Sequence, residues 1–128
     1  MKHLSLIILI ATTLICCKKD DTRNSIIGYW QCEEFNEQSG FVRYQMSIYP
    51  NPNDSTSFVF SNFHNIGDTE DKYIVFFVKS DSIVIPQQTI RDIAIKEGKG
   101  VVEPDFKQIN LTYTLQNPSE ITFEASLY

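Results

Sequence analysis

The sequence predicts an all-β fold, a single antiparallel barrel or flattened barrel of eight or nine up-and-down strands. After residue 25 the chain is a series of short apolar stretches, each bounded by Pro, Gly, Asn, Asp or Ser. Several stretches alternate between apolar and polar side chains, which is the period of a strand with one buried face. No stretch in this part keeps the helical period. Closure into a barrel is favoured because it leaves no exposed strand edge.

The beginning of the chain has the pattern of a secretory signal. Lys2 precedes an apolar run over residues 4–15, which is roughly half the ~20 residues that a membrane-spanning helix needs. The run ends in Leu14-Ile15-Cys16-Cys17, with a leucine three residues before Cys17 and a small residue directly before it. This ending resembles the lipobox of bacterial lipoproteins. The resemblance implies cleavage before Cys17, lipidation of its sulfur and acylation of the new amine.

Two alternatives to the lipobox interpretation are weaker. The first is an ordinary secretory signal, which requires small residues at both −1 and −3 of the cleavage site. The second is cleavage before Cys16, which would place the bulky Ile15 at −1. Acylation at Cys17 has a large physical effect, since each buried CH₂ contributes ~0.8 kcal/mol and two or three chains hold stably. We therefore expect the membrane to be a partner through a lipid anchor, with residues 1–16 removed as a signal peptide.

The residues after Cys17 predict where the anchored protein resides. Lys18 occupies the position at which an Asp retains lipoproteins in the inner membrane, so outer-membrane delivery is expected. The sequence Lys18-Lys19-Asp20-Asp21 also resembles the surface-export signal of lipoproteins in one Gram-negative phylum. Surface exposure is the favoured prediction, and an anchor facing the periplasm is the alternative. Residues 17–25 are predicted as the lipidated cysteine and a flexible linker, and residues 26–128 as the barrel domain.

Composition limits the size and the partners of the mature chain. The 112 residues that follow residue 16 are enough for one domain. All 16 aromatic residues lie in this part, which argues against disorder. Loss of Lys2 with the signal takes the formal net charge from −5 to −6. Nucleic acid is not expected as a partner, because its backbone requires clustered Lys and Arg and there is no such cluster beyond Lys18-Lys19.

The first predicted strands follow directly from apolar alternation. Residues 27–35 open the domain and hold its lone tryptophan, and residues 42–48 alternate cleanly between apolar and polar side chains. The turn formers of residues 50–54 then return the chain into a strand at residues 57–61. Residues 62–71 are the longest irregular stretch after the linker.

The middle of the chain predicts a hairpin and an irregular strand. Residues 72–79 are apolar on both faces, so we expect the most buried strand there. Ser80-Asp81 turns the chain into a strand at residues 82–86. A further strand begins near Ile90 and ends at Gly98-Lys99-Gly100, where two glycines indicate a bulge or a sharp bend.

The clearest hairpin closes the chain. Residues 109–115 and 121–127 both alternate strictly between apolar and polar side chains, and the turn formers Asn117-Pro118-Ser119 lie between them.

Motifs spread over residues 27–128 resemble a family of small, uncharacterised, lipobox-bearing β-barrel lipoproteins of Gram-negative bacteria. They are Gly28-Tyr29-Trp30-Gln31-Cys32, Tyr44-Gln45-Met46-Ser47-Ile48, Ser61-Asn62-Phe63, Ile83-Val84-Ile85-Pro86-Gln87-Gln88, Gly98-Lys99-Gly100 and Ile109-Asn110-Leu111-Thr112-Tyr113-Thr114. The first motif also resembles the G-x-W of lipocalin barrels, where the tryptophan plugs one end. The resemblance implies a lipocalin-like barrel. This chain lacks the second cysteine that the family often has in its last strand.

Three residues are candidates for binding or packing: Trp30, Cys32 and His64. Cys32 has no intramolecular partner in the mature chain, so we expect a buried small hydrophobe; an intermolecular bridge and a reactive thiol are the alternatives. His64 lies in a polar loop and is expected to be solvated. An enzyme would require Cys32 and His64 to converge with a carboxylate in a cleft.

The sequence carries no catalytic, cofactor-binding or metal-binding motif that we recognise, so we predict no enzyme, cofactor or metal. Glu33 and Glu34 are adjacent on a strand and are expected to face opposite sides, which excludes a shared carboxylate pair unless a bulge intervenes. An acidic group beside His64 has the wrong spacing for a calcium loop of the EF-hand kind. Its members are Asp68, Glu70 and Asp71.

These observations predict a non-enzymatic binding module that is anchored to the outer membrane. The barrel interior would take a small apolar ligand, or the rim would take a surface protein partner. The many large aromatics favour a filled interior, and therefore the partner. The alternative is an accessory or structural subunit of a surface uptake or adhesion complex, with no ligand pocket.

Overall fold

A computed structural model describes residues 22–67, 69, 72–116 and 120–128. A short helix is followed by nine strands, with a 3₁₀ turn at Phe63–Asn65 between the third and the fourth. The elements are α1 (Thr22–Ser25), β1 (Gly28–Asn36), β2 (Gly40–Pro50), β3 (Phe58–Ser61), β4 (Tyr73–Lys79), β5 (Ser82–Ile85), β6 (Gln88–Ile90), β7 (Ile93–Val102), β8 (Ile109–Leu115) and β9 (Ile121–Leu127).

Eight of the strands form a closed antiparallel barrel. Strands β1 to β5 are consecutive neighbours, and β1 also pairs with β9, which continues the sheet through β8 to β7. Pairing of β5 with β7, from Ser82↔Val101 to Ile85↔Gly98, closes the ring. The short β6 pairs with β7 outside this ring. The predicted all-β, lipocalin-like barrel is therefore confirmed.

Aromatic rings fill the inside of the barrel. The rings of Phe60 and Phe76 stack at 3.9 Å between centroids, and Phe63 joins Phe60 at 5.6 Å. Phe63 then contacts Tyr113 at 4.6 Å, and Tyr113 stacks on Phe123 at 5.2 Å. These contacts run from β3 and β4 across to β8 and β9, so side chains occupy the space between opposite walls.

Two glycines in β7 make room for this packing. A Cβ atom on Gly98 would lie 2.9 Å from Ile85 Cβ and 3.0 Å from Tyr113 Cβ, and one on Gly100 would lie 2.4 Å from Leu111 Cδ2. All three distances are shorter than a Cβ atom ordinarily tolerates. The sequence predicts a bulge or sharp bend at the glycines themselves, but the β7–β8 register shifts before them, between Ile95 and Glu97.

The sequence prediction of one strand from Ile90 to Gly98 is wrong in two respects. A turn at Arg91-Asp92 divides the stretch into β6 and β7, and β7 continues through both glycines to Val102. Arg91 has a φ of 50°, in the left-handed region that glycine or asparagine usually fills. The turn contains no glycine or proline, the residues from which a turn is most readily predicted.

The prediction that residues 72–79 form the most buried strand is also wrong. Burial alternates along β4, and Phe77 on its outer face is 41% exposed. Every residue of β3 is buried instead. An apolar side chain on both faces of β4 is thus compatible with one face in water, because exposed apolar residues are common on folded proteins.

The N-terminal part of the described chain is fixed to one end of the barrel. Arg23 of α1 donates hydrogen bonds to the carbonyls of Thr56 and Ser55, at 3.3 and 3.2 Å, and its guanidinium lies 4.8 Å from the Phe58 ring centroid. Ile26 is fully buried. Residues 22–25, predicted as the end of a flexible linker, are therefore packed against the barrel.

The barrel has two distinct ends. The α1 end carries α1 together with the β2–β3, β4–β5 and β7–β8 connections. The opposite end, here called the far end, carries the β1–β2 turn, the 3₁₀ turn and the beginning of β9. β1 runs from one end to the other over nine residues, a length of about 26 Å at ~3.3 Å per residue.

Candidate functional site

A buried carboxylate lies inside the barrel near the far end. Trp30, Cys32, Glu34 and Asn36 are the buried, inward-facing residues of β1, and Glu34 is only 5% exposed. Its neighbour Glu33 faces outward, where its Oε1 lies 3.2 Å from Arg43 Nε. The two glutamates therefore face opposite sides, as the sequence predicts.

Three side chains surround the Glu34 carboxylate. The hydroxyl of Tyr44 donates to Glu34 Oε2 at 2.7 Å, and the hydroxyl of Tyr113 donates to the same oxygen. His64 Nδ1 lies 2.8 Å from Glu34 Oε1 and 2.6 Å from the Tyr113 hydroxyl oxygen. Glu34, Tyr44, His64 and Tyr113 are called the Glu34 cluster below.

The β3–β4 loop directs His64 into the barrel. Asn62, His64 and Asn65 have φ values of 58°, 54° and 57°, so the chain turns sharply around the 3₁₀ turn. The Asn62 side chain holds the turn, since its Nδ2 donates to the Gln45 carbonyl at 2.7 Å and its Oδ1 accepts from the Gly67 amide at 2.7 Å. The backbone amide of His64 donates to the Tyr44 hydroxyl at 3.1 Å.

The expectation that His64 is solvated is wrong. Its side chain is only 24% exposed, and its ring meets the ring of Phe123 edge-on at 4.7 Å between centroids. The sequence could not show this, because the polar loop around His64 carries no sign of the carboxylate and tyrosines on other strands. The inward position of Glu34 could have been predicted, because every second residue of a strand faces the same side and Glu34 follows Trp30 and Cys32 at that spacing.

Hydrogen bonding keeps the Glu34 carboxyl charged inside the barrel. Burial by itself would raise the pKa of Glu34, but hydrogen bonds from His64 and Tyr113 and the charge of His64 outweigh it, and the pKa is lowered. Burial, reinforced by the negative charge of Glu34, holds the pKa of Tyr44 and of Tyr113 above the usual tyrosine range. The tyrosines thus stay protonated and act as hydrogen-bond donors.

Cys32 lies one inward position from Glu34 and has a free, buried thiol. Burial raises its pKa from 9.0 to about 11, although a hydrogen bond with Tyr44 acts in the opposite direction. The thiolate is the nucleophilic form of cysteine. Cys32 therefore has the environment of a packing residue. The carboxylate beside His64 is that of Glu34, and it accepts hydrogen bonds from Tyr44 and Tyr113.

Trp30 lies near the α1 end of the same strand. It is 7% exposed, and its Nε1 donates a hydrogen bond to the Ile26 carbonyl at 2.8 Å. The bond ties the segment after α1 to the barrel wall. Trp30 and His64 are therefore separated along the barrel, and neither lies in the groove described next.

A groove of about 410 Å³ lies on the rim of the far end. It separates the β1–β2 turn from the first half of β9, and it is called the rim groove. Its lining residues are Phe35, Asn36, Glu37, Gln38, Glu120, Ile121, Thr122 and Glu124. A smaller groove of about 120 Å³ lies over Gly98 and Thr112 on the β7–β8 wall. No member of the Glu34 cluster lines either groove.

The sequence did not predict the rim groove. Its two sides come from residues near positions 36 and 122, and they become neighbours only because β9 returns to pair with β1. No local sequence pattern in either stretch predicts the pairing of β9 with β1.

Some sequence predictions fall on residues outside the described part of the chain. These are the signal peptide, the lipidation site Cys17 and the export residues within 1–21, the acidic residues Asp68, Glu70 and Asp71, and the turn Asn117-Pro118-Ser119. Within the described ranges, no group of three or more His, Cys, Asp or Glu side chains is placed to hold a metal ion. No helix in those ranges is long and apolar enough to cross a membrane.

Comparisons of the chain with models of protein families, with curated proteins and with solved structures give no match.

Proposed function

We propose that this protein is a lipid-anchored, non-enzymatic binding module of the outer membrane that holds a surface protein partner at the rim groove. The observation that carries the choice of the rim is the packed interior. Aromatic rings from opposite walls touch one another across the barrel, so side chains occupy the space in which an interior ligand would lie. The rim groove is the larger of the two described grooves.

The position of the anchor supports this use of the rim. Four residues separate Cys17 from Thr22, so the lipid lies at most about 18 Å along the chain from α1. The α1 end is then held near the membrane. The rim groove lies at the far end, about 26 Å further along β1, where a partner approaches from outside the membrane.

The anchor is tested by cell fractionation of two cysteine variants. We expect Cys17→Ser to abolish the incorporation of labelled palmitate and to move the protein out of the membrane fraction. Cys16→Ala is the matched control, because it keeps a small residue before the cleavage site. Membrane association that persists in Cys17→Ser would contradict the proposed anchor.

The choice between interior and rim is tested on the protein purified from its native host. Native mass spectrometry should give the mass of the bare protein, because aromatic rings from opposite walls are in contact inside the barrel. A co-purifying apolar compound would make the protein a carrier and would overturn the proposal.

The rim itself is tested by photo-crosslinking on intact cells. A photo-reactive residue at Gln38, in the rim groove, should give a discrete higher-mass band. The same residue at Asn53, in the β2–β3 loop at the α1 end, should not.

A second candidate function is that of an accessory subunit packed into a larger surface complex. Tyr29 and Tyr128 favour it, since they are 78% and 55% exposed on the β1–β9 wall. Tyr128 exchanges two backbone hydrogen bonds with Gln31, two residues along β1 from Tyr29. Crosslinks from Tyr29 in place of Gln38 would support this alternative.

A further inference from the structure

The barrel seam between β1 and β9 is only partly paired. β9 forms seven residue pairs with β8, from Ile109↔Leu127 to Leu115↔Ile121. On its other side β9 forms four pairs with β1, from Cys32↔Leu127 to Phe35↔Glu124. The first three residues of β9 therefore have a strand on one side, and the rim groove on the other.

The backbone of Thr122 faces this open part of the seam. Gln31 and Tyr128 exchange both backbone hydrogen bonds, at 3.0 and 2.9 Å. Hydrogen-bonded pairs recur at every second residue of an antiparallel ladder, which gives Ser126, Glu124 and then Thr122 as the residues of β9 that point toward β1. Phe35 pairs with Glu124, so the position opposite Thr122 is residue 37.

Residue 37 has left the ladder. Asn36 ends β1 by accepting hydrogen bonds from the amides of Gln38 and Ser39, both at 2.8 Å. The chain therefore turns away into β2 before it reaches Thr122. In the described chain no backbone hydrogen bond joins Thr122 to β1. A strand edge with one open N–H and C=O pair faces the groove.

The charge and the apolar surface around this edge define what can occupy it. Glu37, Glu120 and Glu124 line the groove, and Lys96 is bonded to Glu120 at 2.6 Å. No basic side chain is among the described lining residues. Beside the groove, Phe41 is 74% exposed and its ring lies 4.8 Å from the ring of Phe35, which offers an apolar surface to an aliphatic stem.

We propose that the rim groove binds a short extended peptide segment of the partner that carries Lys or Arg. The segment adds to the edge of β9 and exchanges hydrogen bonds with the Thr122 backbone, as in β-augmentation. Its basic side chains pair with Glu37 and Glu124, and their stems pack on Phe35 and Phe41. This inference rests on the proposed function, because it names the chemistry of the partner at the same rim.

The test is a fluorescence-polarisation titration of a labelled peptide amide, Lys-Thr-Lys-Thr-Lys-Thr, with the chain from residue 17 carrying Cys17→Ser. We expect saturable binding that weakens roughly tenfold in the double variant Glu37→Gln and Glu124→Gln, because two charge pairs are lost. The matched control is Asp92→Asn with Glu97→Gln, which removes two exposed carboxylates outside the groove. It should bind within roughly twofold of the parent.

A second peptide separates strand addition from charge attraction without altering the protein. The same hexapeptide with alternate backbone nitrogens methylated keeps its charge but loses ladder donors, and we expect it to bind at least roughly tenfold more weakly. Equal binding of the methylated peptide, or equal weakening by the control variant, would overturn the inference.

The outcomes also distinguish this inference from the function on which it rests. Crosslinks from Gln38 to a protein partner without binding of the basic peptide would leave the proposed function standing and remove the inference. Crosslinks absent from Gln38 would remove both.

Discussion

Glu34 is a charged residue on a wall that is otherwise lined mainly by apolar side chains. Its two carboxylate oxygens receive hydrogen bonds from three side chains on β2, β8 and the β3–β4 loop. One residue therefore holds together elements that are far apart in the sequence. Removing one member of such a buried set leaves the remaining polar groups without their full set of partners, which costs more than the set contributes net.

We expect Glu34→Gln to lower the free energy of unfolding by about 3 kcal/mol, since the neutral amide cannot accept all three hydrogen bonds. Glu33→Gln is the matched control on the adjacent residue. Its exposed contact with Arg43 is worth at most about 0.5 kcal/mol. Urea unfolding of both variants measures the difference, and equal losses would show that the Glu34 cluster contributes little.

The lowered pKa of Glu34 also predicts how stability depends on pH. A carboxyl whose folded pKa lies below the ordinary value near 4.5 contributes stability above that value. The contribution is lost as the pH falls through the folded pKa. We expect the parent to lose stability steeply below about pH 4.5, and Glu34→Gln to lose it less steeply. Urea midpoints measured between pH 3 and 7 check this; identical slopes would contradict it.

Among the strands, β7 contains the two glycine positions at which a larger side chain would not fit without a shift of its neighbours. A Cβ atom on Gly98 would lie 2.9 Å from Ile85 Cβ on β5, and one on Gly100 would lie 2.6 Å from the backbone oxygen of Asn110 on β8. We expect Gly100→Ala to lower the free energy of unfolding by roughly 2 kcal/mol, because overpacking forces the neighbouring backbone to shift. Lys99→Ala, between the two glycines but exposed, should change stability by less than roughly 0.5 kcal/mol. Thermal or urea denaturation of the pair tests the prediction.

The element scale also shows what the sequence can and cannot predict. Strands with strict alternation, such as β8 and β9, have the bounds that the pattern predicts. The β6–β7 turn was missed because Arg91 adopts a positive φ without glycine. The environment of His64 and the two sides of the rim groove were missed for a common reason: both depend on contacts between residues distant in sequence, which only the closed barrel creates.

At the scale of the whole molecule, closure makes one cooperative unit. Each of the eight barrel strands pairs on both sides, so none of them can unfold without breaking its hydrogen bonds to two neighbouring strands. We expect urea unfolding followed by Trp30 fluorescence and by far-ultraviolet circular dichroism to give coincident transitions. Refolding should take milliseconds to seconds, because the sheet depends on pairings between distant residues. Separate midpoints for the two signals would indicate a populated intermediate.

The two ladders of β1 have a mechanical consequence. β1 forms nine pairs with β2 and four with β9, and it runs lengthwise between the α1 end and the rim groove. In a protein tethered through residue 17 and pulled by a partner at the rim, tension acts parallel to β1. The hydrogen bonds of both ladders are then loaded together in shear, whereas a pull across the strand would open them one at a time. Under the proposed anchoring, the barrel is oriented to resist sustained force on its first strand.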